Sequence, residues 1–110
     1  MNKPIILYIL PSWWPWLAIA LAGVILAKKG RKLSEQTITH EQVHFRQQWE
    51  LLIVGFFVLY ALEFLFRFVA CGFRWMEAYR NISFEREADD LQGESFNLVL
   101  RPPYNWIRYL

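Results

Sequence analysis

The chain has 110 residues, of which 55% are hydrophobic and 18% aromatic, with a formal net charge of +2 at pH 7. This length allows one domain, residues 1–110, and leaves no room for separate catalytic and membrane modules. The weak net charge argues against a nucleic-acid partner, and the single cysteine excludes a disulfide framework and a cysteine zinc knuckle.

The first apolar segment, residues 5–27, contains 23 residues without a charge, which is enough for a helix that spans a bilayer. Pro11 and Pro15 argue against a regular helix because each removes a helical hydrogen bond. Two short buried strands, "WLAIAL" and "GVILA", also fit, with Gly23 between them and the turn "KKGRK" after them. We favour a membrane or membrane-surface segment and retain a short N-terminal β-hairpin as the alternative.

A cluster of basic residues follows this segment, namely Lys28, Lys29, Arg31 and Lys32. It indicates either the cytoplasmic flank of a membrane segment or a solvated turn. Together with the apolar composition, it leads us to expect a membrane-associated protein at the bacterial inner membrane, with lipid as a partner. The sequence leaves the oligomeric state open.

Residues 34–95 have the composition of a helical core. Ser34 and Thr37 form half of a capping box, which predicts that the first helix begins there. An apolar run follows this helix, and within it Glu63 and Arg67 have the spacing of a helical ion pair.

The C-terminal part divides into an acidic stretch and a tail that contains prolines. Residues 74–94 have helical composition and carry most of the acidic residues. The tail, residues 101–110, cannot be helical at Pro102 and Pro103. It therefore predicts an extended aromatic arm.

His40, Glu41 and His44 spell the pattern H-E-x-x-H within the first predicted helix. One helical turn places the two imidazoles side by side, so that they can bind one metal ion, and it directs the glutamate toward a metal-bound water as its general base. Both histidines of the chain fall in this pattern. The alternative is a helix with two exposed histidines and no metal.

A catalytic zinc site needs a third protein ligand, and the acidic segment "SFEREADD" offers one. Glu85 and Asp89 lie four residues apart on one helical face, so Glu85 can bind the metal while Asp89 accepts a ring N–H from a ligating histidine. Glu87 is a rival ligand. Glu63 is a weaker rival because Arg67 is expected to pair with it.

The motif "HEQVH" followed by "EREAD" resembles the gluzincin metallopeptidases, in which a glutamate of an E-x-x-x-D motif completes H-E-x-x-H. The form E-x-x-A-D, read at Glu85, Ala88 and Asp89, is similar to that of membrane-embedded heat-shock and CAAX-processing endopeptidases and of BlaR-type receptor peptidases. The run "HEQVHFRQQ" also resembles small, mostly uncharacterised bacterial proteins that share H-E-x-x-H-x-x-Q-Q.

This resemblance implies a mainly α, zincin-like, helix-rich single domain that hydrolyses peptide bonds of a peptide or protein substrate with Zn²⁺. His40, His44 and Glu85 would be the zinc ligands, Glu41 the general base, and Asp89 the partner of a ligating histidine. The chain shows no recognisable substrate-binding edge strand, and its candidate for stabilising the oxyanion is Tyr79. The alternatives are a structural zinc site and a small two-span membrane scaffold without catalysis.

The assignment of Glu85 as a ligand also predicts a bend in the chain. A straight helix from His44 to the turn at Gly72 would be about 42 Å long, and the remaining segment returns only about 20 Å toward Glu85. A change of direction between residues 48 and 58, near Gly55, shortens the path enough for the ligands to meet. One unbroken helix from residue 36 to 70 would exclude Glu85.

Overall fold

A small β-sheet comes first along the chain, and a series of helices follows it. The computed structural model describes residues 4–13, 18–30 and 32–110. The predictions that involve Pro15 and Arg31 therefore lie outside the described residues.

The sheet occupies the apolar segment for which the sequence favours a membrane or membrane-surface location. Its strands are β1 (Ile5–Leu10), β2 (Ala18–Leu21) and β3 (Val24–Lys28), in the order β1-β3-β2. β1 is parallel to β3, and β2 is antiparallel to it. The hairpin alternative is thus confirmed, and a single helix over residues 5–27 is wrong.

The β2–β3 hairpin depends on a tight turn that the residues between the strands make. Ala22 and Gly23 have φ angles of 47° and 97°. Two consecutive residues at positive φ match the twist of a two-residue hairpin, and glycine adopts this conformation without steric cost. The turn leaves β2 at the free edge of the sheet.

Two long helices meet at a sharp bend. α1 (Glu35–Glu50) begins at Ser34, whose hydroxyl accepts a hydrogen bond from the backbone N–H of Thr37 at 3.2 Å. α2 (Val54–Ala70) follows after three residues, and the two helix axes differ by 110°. Among the described residues no single helix is long and apolar enough to cross a membrane, and α1 with α2 meet that criterion only together, as a bent pair.

The bend confirms the predicted change of direction, but glycine does not cause it. Gly55 is a regular residue of α2. The φ angles of Leu52 and Ile53 are 57° and 63°, in a region that branched side chains rarely adopt. The sequence therefore locates the bend correctly and assigns it to the wrong residue.

The helices of the C-terminal part return the chain to α1. They are α3 (Trp75–Asn81), α4 (Ser83–Leu91) and α5 (Asn97–Leu100), followed by a 3-10 helix (Asn105–Tyr109) that packs against α4. The tail predicted to be extended over residues 101–110 is thus helical in its second half. Proline restricts only its own position and the one before it, so nothing prevents a helical turn after Pro103.

α1 is the central element of the described fold. On one side Phe45 packs with Ile25 and Ala27 of the sheet. On another side Val43 packs with Ala88 of α4. The described residues therefore form a helix-rich domain in which α1 is packed between a three-stranded sheet and α4.

Candidate metal centre

Two residues of α1 and one of α4 bring their side-chain donor atoms together. His40 Nε2 lies 3.2 Å from His44 Nε2 and 3.0 Å from Glu85 Oε1. His44 Nε2 lies 3.2 Å from Glu85 Oε2. In a tetrahedral site with bonds of about 2.0–2.1 Å, neighbouring ligand atoms are about 3.3 Å apart. These three residues, which the sequence names as ligands, are therefore close enough to hold one metal ion.

The outer nitrogen of each imidazole faces an oxygen atom. His44 Nδ1 lies 2.8 Å from Gln47 Oε1. His40 Nδ1 lies 2.8 Å from Gln92 Oε1 and 3.3 Å from Asp89 Oδ1. Because amide and carboxylate oxygens only accept, each Nδ1 carries the hydrogen. Each Nε2 is then the atom that offers a lone pair to a metal.

The hydrogen bonds of the Gln47 side-chain nitrogen fix the orientation of its amide. Its Nε2 donates to the backbone oxygen of Phe84 at 3.1 Å and to Glu87 Oε1 at 2.8 Å. Both partners are acceptors, so the amide must present its oxygen to His44. Gln47 and its neighbour Gln48 are both fully buried.

The two rival ligands of the sequence prediction make other contacts. Glu87 accepts hydrogen bonds from Gln47, Arg101 and Asn105. Glu63 accepts bonds from the backbone N–H and the hydroxyl of Ser83 at 2.7 and 2.6 Å, which fixes the start of α4.

The acidic and basic groups of the cluster hold each other in charged form. Burial alone lowers the pKa of His40, but its hydrogen bonds to Asp89 and Glu85 and the nearby negative charges outweigh this and raise the pKa to about 10. Burial likewise raises the pKa of Glu85, but the charge of His44 and the hydrogen bonds of both histidines hold it well below its usual range. In the metal-free cluster, imidazole protons supply the positive charge that faces Glu85. A metal ion must compete with these protons for the imidazole nitrogens.

Glu41 lies beside this cluster without belonging to the ligand set. Its side chain is buried, and it lines a cavity of about 370 Å³ together with His44 and Glu85. Burial raises the pKa of Glu41, although the positive charges of the histidines oppose the shift and the backbone N–H of Ala20 hydrogen-bonds to it. A carboxylate with a raised pKa is suited to take up and release a proton near neutral pH.

Two tyrosines approach Glu85 from the same cavity. The hydroxyl of Tyr60 donates to Glu85 Oε2 at 2.7 Å. Tyr79 also contacts Glu85, and burial raises its pKa, so its hydroxyl stays protonated. The sequence identifies Tyr79 as a candidate but not Tyr60, because no motif or residue spacing marks a tyrosine within the apolar run of α2.

The edge strand β2 borders the same cavity, although the sequence shows no recognisable substrate-binding edge strand. Ala18, Ile19 and Ala20 of β2 are part of its lining. Gln48 ties this strand to α1, since its Nε2 donates to the oxygen of Ala20 at 3.0 Å and its Oε1 accepts from the N–H of Ala22 at 2.7 Å.

The cluster thus combines three donor atoms at metal-binding spacing, a buried carboxylate beside them, and a cavity that they share. Comparison of the chain with protein-family models, with curated proteins and with solved structures gives no match. The gluzincin resemblance therefore depends on the two short motifs, and the functional argument depends on the geometry of His40, His44 and Glu85.

Proposed function

We propose that the protein is a membrane-associated zinc metallopeptidase. The observation that carries the proposal is the arrangement of His40, His44 and Glu85, in which both Nδ1 atoms are bonded to oxygens and both Nε2 atoms face the carboxylate. Two imidazoles and one carboxylate are a usual ligand set of catalytic zinc sites.

The residues have distinct roles in this proposal. His40, His44 and Glu85 hold the zinc ion, which when bound lowers the pKa of a coordinated water toward about 7. Glu41 accepts a proton from the attacking water and passes it to the nitrogen that leaves when the peptide bond breaks. Tyr79 donates a hydrogen bond to the carbonyl oxygen as negative charge develops on it.

The surroundings of the ligands support a zincin-like arrangement. β2 is an edge strand beside Glu41, and Gln48 holds it against α1. An extended peptide can pair with the start of this edge at Ala18, since the N–H and the oxygen of Ala20 are already bonded to Glu41 and Gln48. Asp89 and Gln92 orient His40, as carboxylates and amides around zinc sites commonly do.

A structural zinc site is the second candidate, and the number of ligands argues against it. Structural zinc is usually held by four protein side chains, whereas a catalytic site has three and an open position. Among the described residues the cluster contains three such side chains. The cavity next to them offers space for a substrate.

Elemental analysis of the purified chain, combined with a peptidase assay, tests the proposal. We expect one zinc per chain in the parent, and its loss in His44→Ala and Glu85→Ala. Glu41→Gln should keep the zinc and lose at least a hundredfold in peptide hydrolysis, since it removes the base but no ligand. Zinc that is retained in both ligand variants would refute the site, and full activity of Glu41→Gln would refute the mechanism.

A further inference from the structure

α2 has its polar side chains inside and its apolar side chains outside. Glu63 and Arg67 form an ion pair of 3.5 Å, and both side chains are largely buried against the protein. Every exposed residue of α2 is apolar, and the most exposed include Leu62 at 57%, Phe66 at 67% and Val69 at 63%. A surface helix of a water-soluble domain has the opposite distribution.

The chemistry of this face fits lipid better than a protein partner. Protein interfaces have a polar rim and about one hydrogen bond per 100–200 Å², and none of the exposed side chains of α2 can form one. Acyl chains require no hydrogen bonds, because a helix satisfies its own backbone groups. Charged residues of membrane-embedded helices typically pair with each other and face the protein, as Glu63 and Arg67 do.

Amphipathic aromatic residues flank α2 on both sides in the chain. Trp49 is exposed just before the bend, and Trp75 is half exposed at the start of α3. Tryptophan is enriched where a protein crosses from the acyl chains to the lipid headgroups. Next to Trp75, the exposed side chain of Arg74 pairs with Glu77 at 3.1 Å, so this end carries a polar ion pair.

The cavity of the metal centre opens on this apolar face. Phe57 and Trp75 line the cavity, and both are also exposed at the surface of the protein. Phe56 and Phe64 continue the apolar lining inward. The apolar lining therefore extends from the exposed surface of Phe57 and Trp75 toward the metal centre.

We propose that the exposed face of α2 and the cavity mouth at Phe57 and Trp75 lie against the acyl chains of a lipid bilayer. The apolar part of a substrate then reaches the metal centre from the lipid. The lipid contact stands on the surface of α2 alone, whereas the route of the substrate rests on the proposed peptidase function.

Flotation of the purified chain with phosphatidylcholine vesicles tests the contact. The parent should bind, and the double variant Leu62→Asp/Phe66→Asp should lose at least tenfold in its partition coefficient. Val99→Asp on α5 is the matched control, because Val99 is equally exposed and apolar. Its binding should not change, and circular dichroism should show that all three chains are folded.

Three results would overturn the lipid contact. The parent fails to bind neutral vesicles, or binds only when anionic phosphatidylglycerol is added, or dimerises in a manner that the double variant abolishes. The last result would assign the face to a second copy of the chain. Glu41→Gln should bind vesicles like the parent. If the parent binds vesicles but hydrolyses no peptide in any assay, the peptidase function is refuted and the lipid contact of α2 still holds.

The position of the cavity mouth is tested separately with lipids brominated in the acyl chain. Subtracting the fluorescence emission of Trp75→Phe from that of the parent gives the emission of Trp75. We expect brominated phosphatidylcholine to quench this emission strongly. An unquenched Trp75 in vesicle-bound protein would show that the mouth faces water and would refute the lipid route.

Discussion

Arg101 and Glu87 form a buried ion pair, with Arg101 Nε donating to Glu87 Oε2 at 2.6 Å and side-chain exposures of 2% and 0%. Arg101 also donates from Nη1 and Nη2 to the two oxygens of Glu50 at 2.7 and 3.0 Å. Glu50 ends α1 and Glu87 belongs to α4. One side chain of the tail therefore joins the two helices that carry the candidate ligands.

Replacing Arg101 should destabilise the fold strongly. In Arg101→Ala the carboxylate of Glu87 remains buried without its cation, which typically costs about 3–5 kcal/mol. Urea unfolding of the zinc-free chain measures the change. Arg108→Ala removes an exposed arginine from the same tail and should change the free energy of unfolding by less than about 0.5 kcal/mol. Equal effects of the two substitutions would show that the buried pair is not important.

Replacing Gln47 should weaken metal binding. Gln47→Met keeps the volume of the side chain but removes the oxygen that accepts the Nδ1–H of His44. Loss of such a partner typically costs about 10–100-fold in metal affinity. Zinc titration against a chelator measures this affinity. Gln36→Met, at an exposed position of α1, is the matched control, and an unchanged affinity in Gln47→Met would contradict the role.

Sequence reasoning predicts the ligands because helical geometry is local. The spacing of His40 and His44 places both on one face, and the length of the intervening chain requires a bend before Glu85 can reach them. The partners of these residues come from distant segments. Tyr60 reaches Glu85, and Arg101 reaches Glu50 and Glu87, only after the chain has folded back, so no spacing in the sequence indicates them.

The strands at the N-terminal end were hard to predict for a different reason. Short apolar runs carry no clear period, so a buried strand and part of a membrane helix look alike. Gly23 was the only local sign of the turn between β2 and β3. At the bend between α1 and α2 the same preference for glycine misleads, because Leu52 and Ile53, and not Gly55, adopt positive φ there.

Zinc affinity should rise with pH because protons compete with the metal. The pKa of His40 is raised from 6.5 to about 10, and that of His44 is raised as well. The His40 value lies well above neutral pH, so zinc must displace a proton from that imidazole in the folded chain. We expect the affinity to increase at least tenfold per pH unit between pH 7 and 9.

Calorimetry in buffers of different ionisation enthalpy counts the protons released when zinc binds. Without zinc, the charged form of His40 stabilises the fold; this contribution is complete below the unfolded pKa of about 6.5 and is lost as pH rises through about 10. Stability of the zinc-free chain should therefore decrease with pH across this window. Zinc binding without proton release would contradict the pairing of His40 with Glu85.

Leu52→Gly should stabilise the protein, although leucine to glycine is usually destabilising. Leu52 has a φ angle of 57° and its side chain is 83% exposed. A left-handed conformation costs a non-glycine residue roughly 1–2 kcal/mol, and here little packing is lost with the side chain. After the entropy of the unfolded glycine is subtracted, we expect a gain of about 0.5–1 kcal/mol in the free energy of unfolding.

The matched control is Leu62→Gly, which makes the same substitution at an exposed position with regular helical conformation in α2. Glycine in a helix interior costs about 1 kcal/mol, so this variant should be less stable than the parent. Chemical unfolding of both variants under one condition compares them directly. Destabilisation of similar size in both would mean that residue 52 is not strained at the bend.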